Sequence, residues 1–165
     1  AVTEGERLYG RTAECVVLLD PTGPLRTVQD VEDGLRLFRE GGYDAVVSGN
    51  SAHRNPYFNM VRVAEGRVRL VNELEHPVGR RQDAPEVYDL NTVVWIYSRR
   101  ALLEEQARLP RRTGLYLVPT QRALDLDTEA DLQLLEMLLR GCVRSSELPG
   151  WHRQAQLGDG GIEPA

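Results

Sequence analysis

Residues 15–49, CVVLLDPTGPLRTVQDVEDGLRLFREGGYDAVVSG, constrain the fold of this chain more than any other stretch. Cys15 to Leu19 is a short, unbroken apolar run, the pattern of a strand buried on both faces. Two prolines and a glycine in PTGPLRT then require a loop. Beyond it Val28, Val31, Leu35 and Phe38 fall on one helical face, and Gly41-Gly42 supplies a C-terminal cap. DAVVSG reads as a second buried strand. Strand, helix and strand in this order make a βαβ unit, so the expected class is α/β, a mostly parallel sheet wrapped by helices.

The remainder modifies that plan. FNMVRVAEGRVRLVN, Phe58 to Asn72, alternates residue by residue around Glu65-Gly66, which predicts a hairpin and makes the sheet mixed or gives it a projecting β element. The loop EHPVGRRQDAPEVYDLN leads into another buried strand, TVVWIY. Ser98 can cap a helix over RRALLEEQARL, and LYLVP is a further strand. ALDLD precedes a closing leucine-rich helix. From Arg144 onward periodicity is lost and glycine increases, so 145–165 is expected to be a flexible tail and 1–144 the domain. A chain of 165 residues can bury roughly 70% of the surface it exposes when unfolded, enough for one domain with a core.

Charge and composition exclude several function classes. With 25 acidic and 20 basic residues the net charge is −5, and no face-wide basic run is present, which disfavours a nucleic-acid partner. Every basic residue is arginine, so the chain holds no Schiff-base amine and no phosphate-loop lysine. Cys15 and Cys142 belong to no CxxC or Cys/His ligand pattern, as expected in a reducing compartment. No apolar run approaches the roughly 20 residues that cross a bilayer, and no signal segment opens the chain, so no membrane association and a cytoplasmic location are expected.

In a twisted parallel sheet, ligands collect beyond the carboxyl ends of the strands. Four such places carry candidate residues: Asp20 to Thr22, the loop from Ser48 to Asn59, the approach to Asn91, and Asp125 with Asp127. Alternation along ALDLD predicts Asp125 and Asp127 on one face and Leu124 and Leu126 on the other. Two such carboxylates suit Mg²⁺, which takes one or two of them and completes its shell with water and phosphate. The competing reading is a helix start, because Thr128 and Asp131 match a capping box and acidic residues favour a helix N-terminus. Arg80, Arg81 and Gln82 form a donor-rich loop able to grip a carboxylate or phosphate, or to serve as a solvated basic loop. His53 stands alone and reads as structural, Trp95 as core or pocket wall, and Arg26 as a tie between its loop and the following helix.

Taken in order, DPTGPLRT, HRNPYFNMV, RRQDAPEVYDLN and ALDLDTEADL resemble the acylneuraminate cytidylyltransferases, the CMP-sialic acid or CMP-nonulosonate synthetase family, from about Cys15 to Leu139. The resemblance implies a Rossmann-like three-layer sandwich of the nucleotide-diphospho-sugar transferase type, a homodimer formed through a projecting β element, and a Mg²⁺-dependent reaction. In that reaction CTP and an acidic nine-carbon sugar give a CMP-sugar and pyrophosphate. By the same resemblance Asp125 and Asp127 are the metal-binding and catalytic aspartates, Arg81 and Gln82 meet the sugar carboxylate, and Asp20, Thr22, Asn59, Asn91 and Trp95 join the substrate-binding set.

Four departures qualify it. Asp20 stands where many members carry glutamine, Gly23 replaces a serine, and Thr92-Val93 are bulkier than the usual small pair. The Gly/Ser-rich loop with arginine and lysine that cradles CTP is not found, so the domain is expected to be N-terminally incomplete and, as this chain alone, weakly active or inactive. The alternative is a non-catalytic relative serving as a sugar-binding or dimerisation module.

Overall fold

The computed structural model describes residues 1–140; the tail expected over 145–165 lies outside the described residues. Among the described residues nine α-helices and β-strands follow one another, apart from short helical turns: α1 (Val2–Tyr9), β1 (Cys15–Leu18), α2 (Val28–Gly41), β2 (Ala45–Ser51), β3 (Val61–Ala64), β4 (Arg67–Leu70), β5 (Tyr88–Ser98), β6 (Thr113–Leu117) and α3 (Glu129–Leu139). Helix α1, absent from the expected elements, buries no residue. It is tied to the end of β5 by a two-point ion pair in which Arg99 Nε and Nη2 donate to the Glu6 carboxylate at 2.7 and 3.0 Å.

The main sheet has the order β1-β5-β2-β6. Strand β5 runs antiparallel to both neighbours, and β2 and β6 are parallel. The expected α/β class and mixed sheet are therefore present, with weak parallel character: β1, β2 and β6 share one direction, yet only one of the three pairings is parallel. The cause is the long excursion between β2 and β5, which lets the chain return between β1 and β2 in the opposite sense. The β1-α2-β2 crossover consequently spans β5 instead of joining adjacent strands.

Helix α2 forms because Thr27 and Asp30 close a reciprocal capping box and Gly42, at φ 58°, ends it in the left-handed conformation. Its inner face meets β5 closely. A Cβ on Gly34 would stand 3.1 Å from Ile96 Cδ1 and 3.5 Å from a Val94 methyl, so the helix has no room for a larger residue there. Phe38, Val46, Val93, Val94, Ile96 and Val118 make the buried core. Each such side chain contributes about 1.5–3 kcal/mol by leaving water.

The predicted hairpin is β3 and β4, a separate two-stranded sheet. Glu65 and Gly66 at its turn both have positive φ, 53° and 71°, the geometry whose twist matches an antiparallel ribbon. Pairings Val61↔Leu70 and Val63↔Val68 line up on one face and Arg62↔Arg69 on the other. The helix expected over RRALLEEQARL is instead one short π-helical turn, Ala101–Glu105, which Ser98 Oγ caps by accepting the Ala101 amide at 3.1 Å. Gln106, with φ 51°, turns the chain out of it. The closing helix keeps its Thr128/Asp131 capping box.

Candidate functional site

A break in the sheet ladder creates the site. Val47 pairs with Trp95 and Gly49 with Leu90, so the four residues Asn91, Thr92, Val93 and Val94 bulge opposite the single residue Ser48. Ser48 is fully buried and bridges the bulge, its hydroxyl accepting the Val94 amide at 2.9 Å and donating to the Asn91 carbonyl at 3.3 Å. Asn91, also buried, donates to Asn50 Oδ1 at 3.1 Å, and its carbonyl accepts the Trp95 indole N–H at 2.6 Å. These polar groups interrupt the apolar runs DAVVSGN and NTVVW; that interruption was the signal in the sequence that the strands are not simple core.

The bulge delivers Thr92 to the loop after β1 and to Asp125. Thr92 Oγ1 donates to Asp125 Oδ1 at 3.2 Å and lies 3.4 Å from Thr22 Oγ1. The Leu126 amide donates to the Thr22 carbonyl at 3.0 Å, docking the 125–127 segment on the same loop. Asp20 Oδ1 accepts both the Thr22 amide, at 3.1 Å, and the Thr22 hydroxyl, at 3.0 Å. Its carboxylate thus closes its own turn, which accounts for an acid at this place in the loop. Arg26 does not tie the loop to α2, as expected, but to β5. Its guanidinium donates to the Val93 carbonyl at 2.5 Å, to the Thr92 carbonyl at 3.3 Å and to the Asp20 carbonyl.

Asp125 and Asp127 do not share one environment. The ALDLD segment is irregular, not a strand; Asp125 is half-buried against Thr92, whereas Asp127 is exposed just before the cap of α3. Immediately upstream, Arg122 anchors the segment by an ion pair with Asp30, a fully buried carboxylate that also accepts the Tyr116 hydroxyl at 3.0 Å. Burial raises the pKa of Asp30, but Arg122 and the Thr27 hydroxyl and amide outweigh it and hold the carboxyl below its usual range. Burial, with the Asp30 charge beside it, pushes the Tyr116 phenol well above its ordinary value.

Arg81 and Gln82 lie elsewhere, on a cleft of about 490 Å³ whose walls include Ser51, Ala52, Asn55 and Pro85. Arg81 is fixed there by donating to the Ala52 carbonyl at 2.7 Å. Asn55, overlooked in the sequence, builds this wall. Its side-chain amide donates to the Pro85 carbonyl at 2.8 Å, its side-chain oxygen accepts the Tyr57 amide at 2.9 Å, and its own amide donates to Asn59 Oδ1 at 2.7 Å. Asn59 is therefore engaged in the loop and does not line the cleft. Trp95 is covered by the Arg108 guanidinium, 5.2 Å from the ring centroid, and also stays outside it. The buried Asn50-Asn91 pair connects the two regions, since Asn50 precedes Ser51 of the cleft and Asn91 precedes Thr92.

Among the described residues no three His, Cys, Asp or Glu side chains form a group that could hold a metal. Asp125 and Asp127 offer only carboxylate oxygens, the donor chemistry that a hard ion such as Mg²⁺ takes together with water and phosphate. No helix among the described residues is long and apolar enough to cross a membrane.

No family model matches the chain. Curated proteins do. The chain is 32% identical over 139 residues to the CMP-N,N'-diacetyllegionaminic acid synthase of Campylobacter jejuni, an alignment covering 84% of this chain and 58% of that protein. It is 29% identical over 140 residues to the post-translational flagellin modification protein B of Campylobacter coli, covering 85% and 59%. Against an N-acylneuraminate cytidylyltransferase of Streptococcus agalactiae it is 28% identical over 116 residues, covering 70% and 28%. The chain thus spans a little over half the length of the two Campylobacter relatives. Through these matches, and over the part of their length that it spans, the chain is a homologue of the acylneuraminate cytidylyltransferases.

Proposed function

We propose that the protein transfers a cytidylyl group from CTP to a sialic-acid-like nonulosonate of the N-acetylneuraminate, legionaminate or pseudaminate type. The anomeric hydroxyl of the sugar attacks the α-phosphorus in line. A new sugar-oxygen-to-phosphorus bond forms as the α-β phosphoanhydride bond breaks, giving CMP-sugar and pyrophosphate. Asp125 and Asp127 would hold Mg²⁺, whose charge offsets that of the triphosphate. Arg81, already anchored on Ala52, offers its remaining donors with Gln82 to the sugar carboxylate at the cleft. Asn91 positions Thr92 between the two regions, and Asp20 shapes the Thr22 turn instead of meeting the anionic sugar.

The observation that carries this reading is the convergence of Thr22, Thr92 and Asp125, three places far apart in sequence, on one end of the sheet. The uncovered apolar face of the hairpin supports a homodimer through β3 and β4, and dependence on CTP supports a cytoplasmic setting. The test incubates the protein with CTP, Mg²⁺ and each of the three sugars, following CMP-sugar by mass spectrometry and sugar binding by NMR. Product that disappears in Asp125→Ala supports the reading. As this chain alone, turnover is expected to be weak or absent; sugar binding that CTP and Mg²⁺ leave unaffected would favour the non-catalytic sugar-binding module, and turnover unaffected by both aspartate substitutions would remove the metal assignment.

A further inference from the structure

Gly23 and Thr92 compete for one volume. A Cβ built on Gly23 would lie 3.0 Å from the Thr92 carbonyl oxygen, 3.2 Å from Thr92 Oγ1 and 3.2 Å from Arg26 Nη2. Separations this short require the neighbour to yield, and here the nearest neighbour is backbone that Arg26 already grips. The hydroxyl filling that space is the one that donates to Asp125 Oδ1.

We propose that Thr92 is the positioning residue for Asp125 and that the missing side chain at Gly23 is what admits it. Asp125 then takes its orientation from β5, while the Leu126 amide keeps its segment docked on the Thr22 carbonyl. Arg26 holds both backbones, through the carbonyls of Asp20, Thr92 and Val93, at the separation this contact needs. The inference rests on Asp125 facing the ligand, as proposed above, but its geometry can be tested without any ligand.

The experiment compares Thr92→Val, Thr92→Ser and Gly23→Ser with the unaltered protein. Two readouts are the Asp125 carboxyl ¹³C chemical shift and hydrogen exchange of the Leu126 amide, with the Val46 and Val94 amides reporting global stability. Thr92→Val keeps the shape and loses the hydroxyl; it is expected to move the carboxyl resonance and to speed Leu126 exchange about tenfold without changing Val46. Thr92→Ser should restore both. Gly23→Ser should disturb both at least as much, or prevent folding, because its Cβ meets the Thr92 carbonyl oxygen as well as the Thr92 hydroxyl. An unchanged Asp125 resonance in Thr92→Val, or in a folded Gly23→Ser, overturns the proposal. Mn²⁺ titration by water-proton relaxation, run in parallel, separates the two ideas: the expected NMR pattern without Mn²⁺ binding would leave the positioning intact and remove the metal reading.

Discussion

The Ser48 hydroxyl on β2 accepts the Val94 amide of β5 at 2.9 Å, and both groups are buried. Four residues of β5 bulge against this one side chain, so the bond supplies a partner that the interrupted ladder cannot. Ser48→Ala should leave the Val94 N–H unpaired and lower the unfolding free energy by about 1–3 kcal/mol, measured by urea denaturation. A loss below about 0.5 kcal/mol, the level of an ordinary surface change, would show that the bulge does not depend on it.

Arg122 and Asp30 join the segment before Asp125 to the N-terminus of α2. Replacing Arg122 by Leu strands a carboxylate that has no exposure, and about 3 kcal/mol of stability should be lost. Asp30→Asn in the same background should recover part of it. Recovery of nothing, in a cycle of the two single and one double variant, would mean that the pair is not coupled.

The same carboxyl gives a pH dependence. Folding depresses the pKa of Asp30 below its ordinary 3.8, so between the folded value and 3.8 the unfolded chain binds more protons than the native one. Stability therefore rises with pH through that window, is fully present above it, and falls away as acid protonates the native carboxyl. Asp30→Asn should flatten this part of an acid-unfolding profile followed by circular dichroism. A profile of unchanged slope would place the acid sensitivity in other groups.

At the cleft, Arg81→Ala should weaken binding of a free nonulosonate by about tenfold or more, because a charge-assisted hydrogen bond contributes about 1.5–3 kcal/mol. The methyl ester of the same sugar, which lacks the anionic carboxylate, should bind the protein and the variant alike. Equal losses for acid and ester would assign Arg81 to the architecture of the cleft through its bond to Ala52.

Val61, Val63 and Val68 stand on one face of the hairpin at 57%, 73% and 67% exposure. If that face joins two copies, Val63→Asp should convert a dimer to a monomer in sedimentation velocity, with the circular dichroism of the main sheet retained. A species that sediments as a monomer before substitution would dismiss the hairpin as the dimer contact.

Periodicity carried the local structure well. The run from Cys15 to Gly49, the alternation about Glu65-Gly66 and the Thr128/Asp131 cap became the elements they predicted, because each depends on neighbours in the chain, but β1 is a half-buried edge strand with Leu18 exposed and not the strand buried on both faces that its apolar run implied. Strand direction was less legible, since the return of β5 between β1 and β2 is decided by packing across the sheet. The same limit hid the site. Asp125 and Asp127 look equivalent in ALDLD, and only the approach of Thr92 buries one and leaves the other in water. Asp20 looked like a misplaced charge until the turn it closes was visible, and Ser48 and Asn55 owe their importance to partners more than 25 residues away.

The order of the sheet also has a consequence for how the chain reaches its native state. Cys15 pairs with Ser98 and Ala45 with Tyr97, so both β1 and β2 find their common neighbour only after the hairpin and the cleft loop have emerged. Strand β5 is the keystone of assembly. Until it is placed, two apolar strands remain without the neighbour that joins them, and the search is dominated by contacts distant in sequence. Folding on the slower, millisecond-to-second scale is then expected, with the nascent chain exposed to self-association until the bulge locks on Ser48.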